Sequence, residues 1–132
     1  MRLRRAAAFV GELVRRRNGE CFTTLDVIEI DLISGNATVM KNGAVVSYAL
    51  RGGGICSIDP CSMPVGITEG ASPSETSLRL SQGDTVVMLS DGIASDSADG
   101  KWIAEILQSG LYSGTALAEK IKAEAEIGRA HV

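Results

Sequence analysis

The feature that most constrains the fold is the apolar run Thr-Val-Val-Met-Leu at residues 85–89, which stops abruptly at Ser90, Asp91 and Gly92. A short run rich in β-branched residues is typical of a strand buried on both faces. A carboxylate at the end of such a strand, followed by a glycine that lets the backbone turn sharply, can hold a metal-ligating oxygen on a rigid support. The simpler interpretation of Asp91 and Gly92 is an ordinary Asp-Gly turn.

The composition excludes several classes of protein. The chain has 132 residues, of which 45% are hydrophobic and only 4% aromatic, so we expect one globular domain with an aliphatic core. The net charge of −3 gives no reason to expect a nucleic-acid partner. No apolar run is long enough to cross a bilayer, so we expect no membrane contact from this segment.

The cysteines indicate the cellular compartment. Cys21, Cys56 and Cys61 are an odd number and lack the spacing of a zinc site. Unpaired thiols predict a reducing, cytoplasmic environment, and an upstream region of a longer parent protein would be the place for any membrane anchor. Cys56 and Cys61 are interpreted as buried, small apolar residues rather than nucleophiles, because we find no base to activate them.

The periodicity of apolar residues and the turn dipeptides predict a mixed α+β chain. Helices are expected over residues 3–17, 102–107 and 113–126, with Ser113 as the N-cap of the last one. Strands are expected at residues 22–32, 37–41, 44–51 and 55–58, joined by short turns into a four-stranded antiparallel meander. Two further strands are expected at residues 76–80 and 84–89.

Several other charged residues are candidates for a site. Asp26 and Asp31 lie five apart on one predicted strand and face opposite sides, which favours a supporting role for Asp26 over paired chemistry. Lys41 and Arg51 could contact a phosphate, but solvated strand ends are the favoured interpretation. The carboxylates at positions 96 and 99 are interpreted as solvated turn residues.

The last six residues, 127–132, lack apolar periodicity and a helix cap. They look like the translation of a sequencing-adapter remnant, so we predict an irregular, non-native tail that makes few contacts. The lone histidine, His131, lies in this tail and should then carry no function.

The order of motifs along the chain resembles a known family of phosphatases. The resemblance is to the phosphatase domain of the stage II sporulation protein E family, one of the PPM-type (protein phosphatase 2C-like) metal-dependent serine/threonine phosphatases. It extends from about residue 8 to about residue 126. The matching stretches are Phe-Thr-Thr-Leu-Asp at 22–26 with Ile-Asp-Leu at 30–32, Lys-Asn-Gly-Ala at 41–44 with Ser47 and Arg51, Met-Pro-Val-Gly-Ile at 63–67, Gly-Asp at 83–84 and Ser-Asp-Gly at 90–92.

The resemblance implies a four-layer α-β-β-α sandwich with antiparallel sheets and a site that holds two Mn²⁺ or Mg²⁺ ions. These ions would activate a water for attack on phosphoserine or phosphothreonine. Asp91 matches the family's strand-end metal ligand, and Ser90 and Gly92 are adjacent to the site. No residue of this chain matches a further catalytic group. The partner implied is a phosphorylated regulatory protein of the anti-sigma factor antagonist type.

Two metal-ligand motifs of the family are absent from this sequence. The first is an Asp-Gly motif ahead of the first helix, and the second is an acidic strand after the last helix. We therefore expect residues 1–126 to be a partial phosphatase domain, truncated at both ends and inactive by itself, because one carboxylate cannot offset the charge of two divalent ions. The alternative is a phosphatase-like module that binds a partner without catalysis.

Overall fold

The computed structural model describes residues 2–15, 23–59, 73–94 and 101–130. The chain divides into two compact units, Met1–Ala44 with Asp59–Ser81 and Val45–Ile58 with Gln82–Val132. Each unit contains helix and a three-stranded antiparallel sheet, which confirms the predicted α+β class. In chain order the elements are α1 (Arg2–Arg15), β1 (Leu25–Ile30), β2 (Asn36–Asn42), β3 (Ser47–Arg51), β4 (Gly54–Ile58), β5 (Ser74–Arg79), β6 (Thr85–Val87), α2 (Asp91–Ala94), α3 (Lys101–Ser109) and α4 (Gly114–Ala130).

The sheet of the first unit has the strand order β1-β2-β5. β1 and β2 form a hairpin in which Ile30 lies opposite Ala37, and β5 pairs with the other edge of β2. β2 is therefore the central strand, and most of its residues are buried. α1 contacts β1, and the Arg4 guanidinium lies 2.6 Å from the Glu75 carboxylate of β5. This hydrogen-bonded pair raises the pKa of Arg4 and lowers the pKa of Glu75.

The turn between β1 and β2 is fixed by hydrogen bonds. The Asp31 carboxylate accepts the N–H groups of Ile33 and Ser34 at 2.9 and 3.3 Å, which lowers the pKa of Asp31. Gly35 has a φ of 80°, and its carbonyl accepts the N–H of Leu80 at 2.8 Å. A Cβ at this position would lie far inside the contact distance of the Leu80 carbonyl oxygen, so the turn requires glycine.

The second unit packs its helices on a sheet with the order β4-β3-β6. Each of α3 and α4 buries a pair of residues four apart, which places each pair on one helix face. Ser113 precedes α4 and its carbonyl accepts the N–H of Leu117, as expected for the residue that begins a helix. The buried core of this unit consists of Tyr48, Ile103, Leu107, Leu117 and Ile121.

The predicted four-stranded meander over residues 22–58 is wrong. The hairpins β1–β2 and β3–β4 belong to different sheets. The second neighbour of β2 is β5, and the second neighbour of β3 is β6. Turn dipeptides indicate which strands follow one another in the chain, but they do not decide which strand fills the open edge of a hairpin.

The strand expected at residues 84–89 is shorter than predicted. β6 covers only Thr85–Val87, and all three residues are half-buried rather than buried on both faces. Met88, which follows, is 37% exposed. Within the described residues β6 pairs with β3 alone, so it is an edge strand of this sheet and has less cover than a central strand.

The final helix extends further than predicted. α4 continues to Ala130, so the expected irregular tail is wrong for residues 127–130, while residues 131 and 132 lie outside the described part of the chain. Arg129 and Ala130 favour helix and Gly128 disfavours it, but residues that extend an existing helix need no new nucleation. Its non-native origin stays a prediction. None of the helices in the described segments is both long and apolar enough to traverse a bilayer.

Candidate functional site

Asp91 lies at the junction between β6 and the four-residue helix α2. After β6 the chain leaves the sheet, and both Ser90 and Asp91 are exposed. The N–H of Ile93 donates to the Ser90 carbonyl at 3.1 Å, which closes a turn around Asp91 and Gly92. The Asp91 carboxylate is thus carried at the surface by a hydrogen-bonded turn just beyond a strand. Its role as a metal ligand stays a prediction.

The side chains on either side of this turn are apolar and point inward. Leu89 and Ile93 are partly buried and pack against the core of the second unit. The apolar run at residues 85–89 predicted a buried Leu89, whereas Ile93 belonged to no predicted element. The position of Ile93 two residues after Asp91 is a readable signal. The turn therefore exposes a carboxylate between two anchored residues.

The described side chains do not make a complete centre for two metal ions. Such a centre needs several carboxylate ligands to offset the charge of the cations. In residues 2–15, 23–59, 73–94 and 101–130, no group of three or more His, Cys, Asp or Glu side chains could hold a metal ion. The carboxylates at positions 96 and 99 lie outside these ranges. The single exposed carboxylate of Asp91 does not meet that ligand count.

A buried ion pair joins β1 to β2. Lys41 Nζ lies 2.8 Å from Asp26 Oδ2, and the two residues are direct neighbours across the strands. The Lys41 side chain is 1% exposed and that of Asp26 is 16% exposed. Asp26 therefore supports the sheet, as the sequence indicated. The interpretation of Lys41 as a solvated strand end is wrong, because the register buries its ammonium against Asp26, where it cannot reach a phosphate.

The remaining candidates are scattered. Asp31 lies in the turn beyond β1, so the structure does not bring it together with Asp26. Arg51 is exposed at the end of β3, as expected. Cys56 is exposed on β4, which corrects the expectation that it is buried. Cys21, Cys61 and the motif at 63–67 lie outside the described residues.

Comparisons with known proteins agree with the motif order. The family model of Stage II sporulation protein E (SpoIIE) matches residues 3–126. Stage II sporulation protein E of Priestia megaterium is 33% identical over 78 residues, which are 59% of this chain and 13% of that protein. The chain therefore spans only a small part of the full-length relative.

Solved structures have the same fold. The phosphatase domain of the cell fate determinant SpoIIE from Bacillus subtilis, presoaked with manganese, matches with a TM-score of 0.71 and 22% identity over 95% of this chain and 58% of that one. The PP2C phosphatase domain of the same protein, with a fragment of its regulatory domain, matches with a TM-score of 0.77 and 24% identity over 90% of this chain and 37% of that one.

The structural likeness shows that the chain has the fold of part of a PP2C-type phosphatase domain, and at these identities it shows the fold alone. Membership of the family follows from the sequence model, which spans almost the whole length. The chain belongs to the Stage II sporulation protein E family.

Proposed function

We propose that the chain is part of a PPM-type, metal-dependent protein serine/threonine phosphatase. The observation that carries the proposal is the exposed Asp91 carboxylate, held on a hydrogen-bonded turn beyond β6 in a chain with this fold and family. Two Mn²⁺ or Mg²⁺ ions would supply the activated water in the complete domain. Asp91 would contribute one oxygen ligand, and the other ligands would come from parts of a longer parent protein.

The proposed substrate is phosphoserine on a regulatory protein of the anti-sigma factor antagonist type. This substrate class rests on the family resemblance and on no contact in this chain. A cytoplasmic location is likewise proposed, from the use of unpaired cysteines.

The 132-residue chain by itself is proposed to be inactive. The support is the ligand count, because Asp91 is a single carboxylate and the described residues contain no metal-binding cluster. We expect no Mn²⁺-dependent hydrolysis of a phosphoserine protein or of an aryl phosphate by this chain, and activity from a parent extended at both ends. Robust Mn²⁺-dependent turnover by the isolated chain would contradict this.

A single substitution in the extended parent tests the role of Asp91. Asp91→Asn keeps the shape of the side chain but removes the charge that offsets a cation, so it should abolish most of the Mn²⁺-dependent activity. Asp84→Asn, the same change at the other end of β6, is the matched control and should leave most activity intact. Activity of the Asp91→Asn variant close to that of the unmodified parent would remove Asp91 from the site.

The second candidate function is a phosphatase-like module that binds a regulatory protein without catalysis. The same shortage of metal ligands among the described residues favours it. The two candidates separate in the extended parent, where an inactive protein with metal-independent binding of the phosphorylated regulatory protein would support the binding module.

A further inference from the structure

The Asp91 turn is attached to the protein interior on both sides. Val87 in β6 and Leu89 beyond it pack against the core of the second unit, whereas Met88 between them is exposed. Ile93, on the other side of the turn, packs against the same core. Asp91 therefore lies on a short exposed arc between two side chains that are fixed in one apolar cluster.

That cluster is built mainly by helices far along the chain. Its buried residues come from β3, from α3 and from α4, and α2 also contacts α4 directly. Protein interiors are close-packed, so a change of volume at an anchoring side chain shifts its neighbours instead of being absorbed locally. The position of the turn thus depends on how Leu89 and Ile93 fit against this core.

We infer that Leu89 and Ile93 are positioning residues for the Asp91 carboxylate. They fix the two ends of the turn, and the hydrogen bond from the Ile93 N–H to the Ser90 carbonyl fixes its curvature. The inference rests on the proposed function for the importance of Asp91, since a misplacement of about 1 Å at a catalytic site can lower activity roughly 100-fold. The packing of Leu89 and Ile93 and the hydrogen bond of the turn are properties of this chain and do not depend on that function.

The test compares two truncations of the same kind in the same core. Ile93→Ala removes an anchor of the turn, and Ile106→Ala removes an equivalent side chain of α3 that packs on the same cluster. In the 132-residue chain, Ile93→Ala should lower the amide protection factor at residue 93, whose N–H bonds to the Ser90 carbonyl, by roughly tenfold relative to Ile106→Ala. Exchange in α3 and α4 should rise in both variants, and Ile93→Val should restore most of the protection at the turn.

The extended parent supplies a second readout. Ile93→Ala and Leu89→Ala should each raise the Mn²⁺ concentration for half-maximal phosphatase activity by about tenfold, with Ile106→Ala close to the unmodified protein. An equal protection factor at residue 93 in the two alanine variants would overturn the inference whatever the activity. Activity that survives Asp91→Asn would instead overturn the proposed function and leave the exchange result standing.

Discussion

The buried ammonium of Lys41 depends on the Asp26 carboxylate, because a charge removed from water needs a close partner. Lys41→Met keeps the length of the side chain and removes the ammonium that lies 2.8 Å from the Asp26 carboxylate, so it should lower the free energy of unfolding by about 3 kcal/mol. Lys41→Met combined with Asp26→Leu should recover most of that loss, since an apolar pair of similar volume carries no buried charge.

Urea unfolding of the two variants and the unmodified chain gives these free energies. A loss below about 1 kcal/mol for the single variant would show that the pair is not desolvated in solution, as would a double variant less stable than the single one.

Gly35 and Gly53 both have positive φ angles, of 80° and 83°, but their surroundings differ. A Cβ on Gly53 would meet nothing within 4 Å, whereas one on Gly35 would collide with the Leu80 carbonyl. Both alanine variants should lose about 1 kcal/mol to the left-handed backbone. Gly35→Ala should lose about 2 kcal/mol more, because the contact between the turn and Leu80 must open. Thermal unfolding of both variants measures the difference, and equal losses would contradict it.

At the scale of an element, the β1–β2 turn should respond to acid. Its tip carries Leu32 and Ile33, which are 92% and 100% exposed, so hydrogen bonds to Asp31 order the turn with little help from burial. The pKa of Asp31 in the folded chain lies below its ordinary 3.8, because the Ile33 and Ser34 N–H groups bond to the charged form.

Between the two pKa values the unfolded chain binds more protons, so stability falls as the pH falls. The contribution of Asp31 is complete above pH 3.8 and is lost as the pH drops through the lower folded-state pKa. A carboxyl NMR titration should give a pKa for Asp31 below 3.8, and Asp31→Asn should remove part of the acid sensitivity of unfolding. A titration midpoint at or above 3.8 would contradict this.

The elements themselves are largely predictable from local sequence. Leu117 and Ile121 repeat at helical spacing and do pack on one face of α4. Strand partners are not predictable in the same way, because the choice of β5 beside β2 depends on chain folding over long separations. The contact between Lys41 and Asp26 follows from the register of the β1–β2 hairpin. Nothing in the local pattern of β2 distinguishes a buried lysine from a solvated one.

The candidate site is likewise only partly predictable from local sequence. The place of Asp91 beyond a strand is predictable from an apolar run followed by Asp-Gly. Its anchoring by Leu89 and Ile93 depends on helices that follow much later in the chain. The other ligands of a metal centre are not predictable from the described residues, because these contain no further cluster of metal-binding side chains.

At the scale of the whole molecule, each compact unit is assembled from two separate stretches of chain. A fragment of residues 1–58 contains both hairpins, β1–β2 and β3–β4, but neither β5 nor β6. Isolated two-stranded hairpins are marginal in water, so this fragment should show no cooperative thermal unfolding by circular dichroism. The complete chain, measured alongside, should unfold cooperatively. A sharp transition in the fragment would show that the third strands are dispensable.

The interleaving of the two units has a consequence for how the protein is made. On the ribosome, β2 and β3 emerge well before β5 and β6, their second neighbours, and at about 5–20 residues per second the delay is on the order of seconds. During that interval the nascent chain carries unpaired strand edges, which are templates for association with other chains. Slow synthesis or crowded polysomes should therefore favour aggregation of this chain, and a chaperone that covers exposed strands should act between the emergence of residue 58 and that of residue 87.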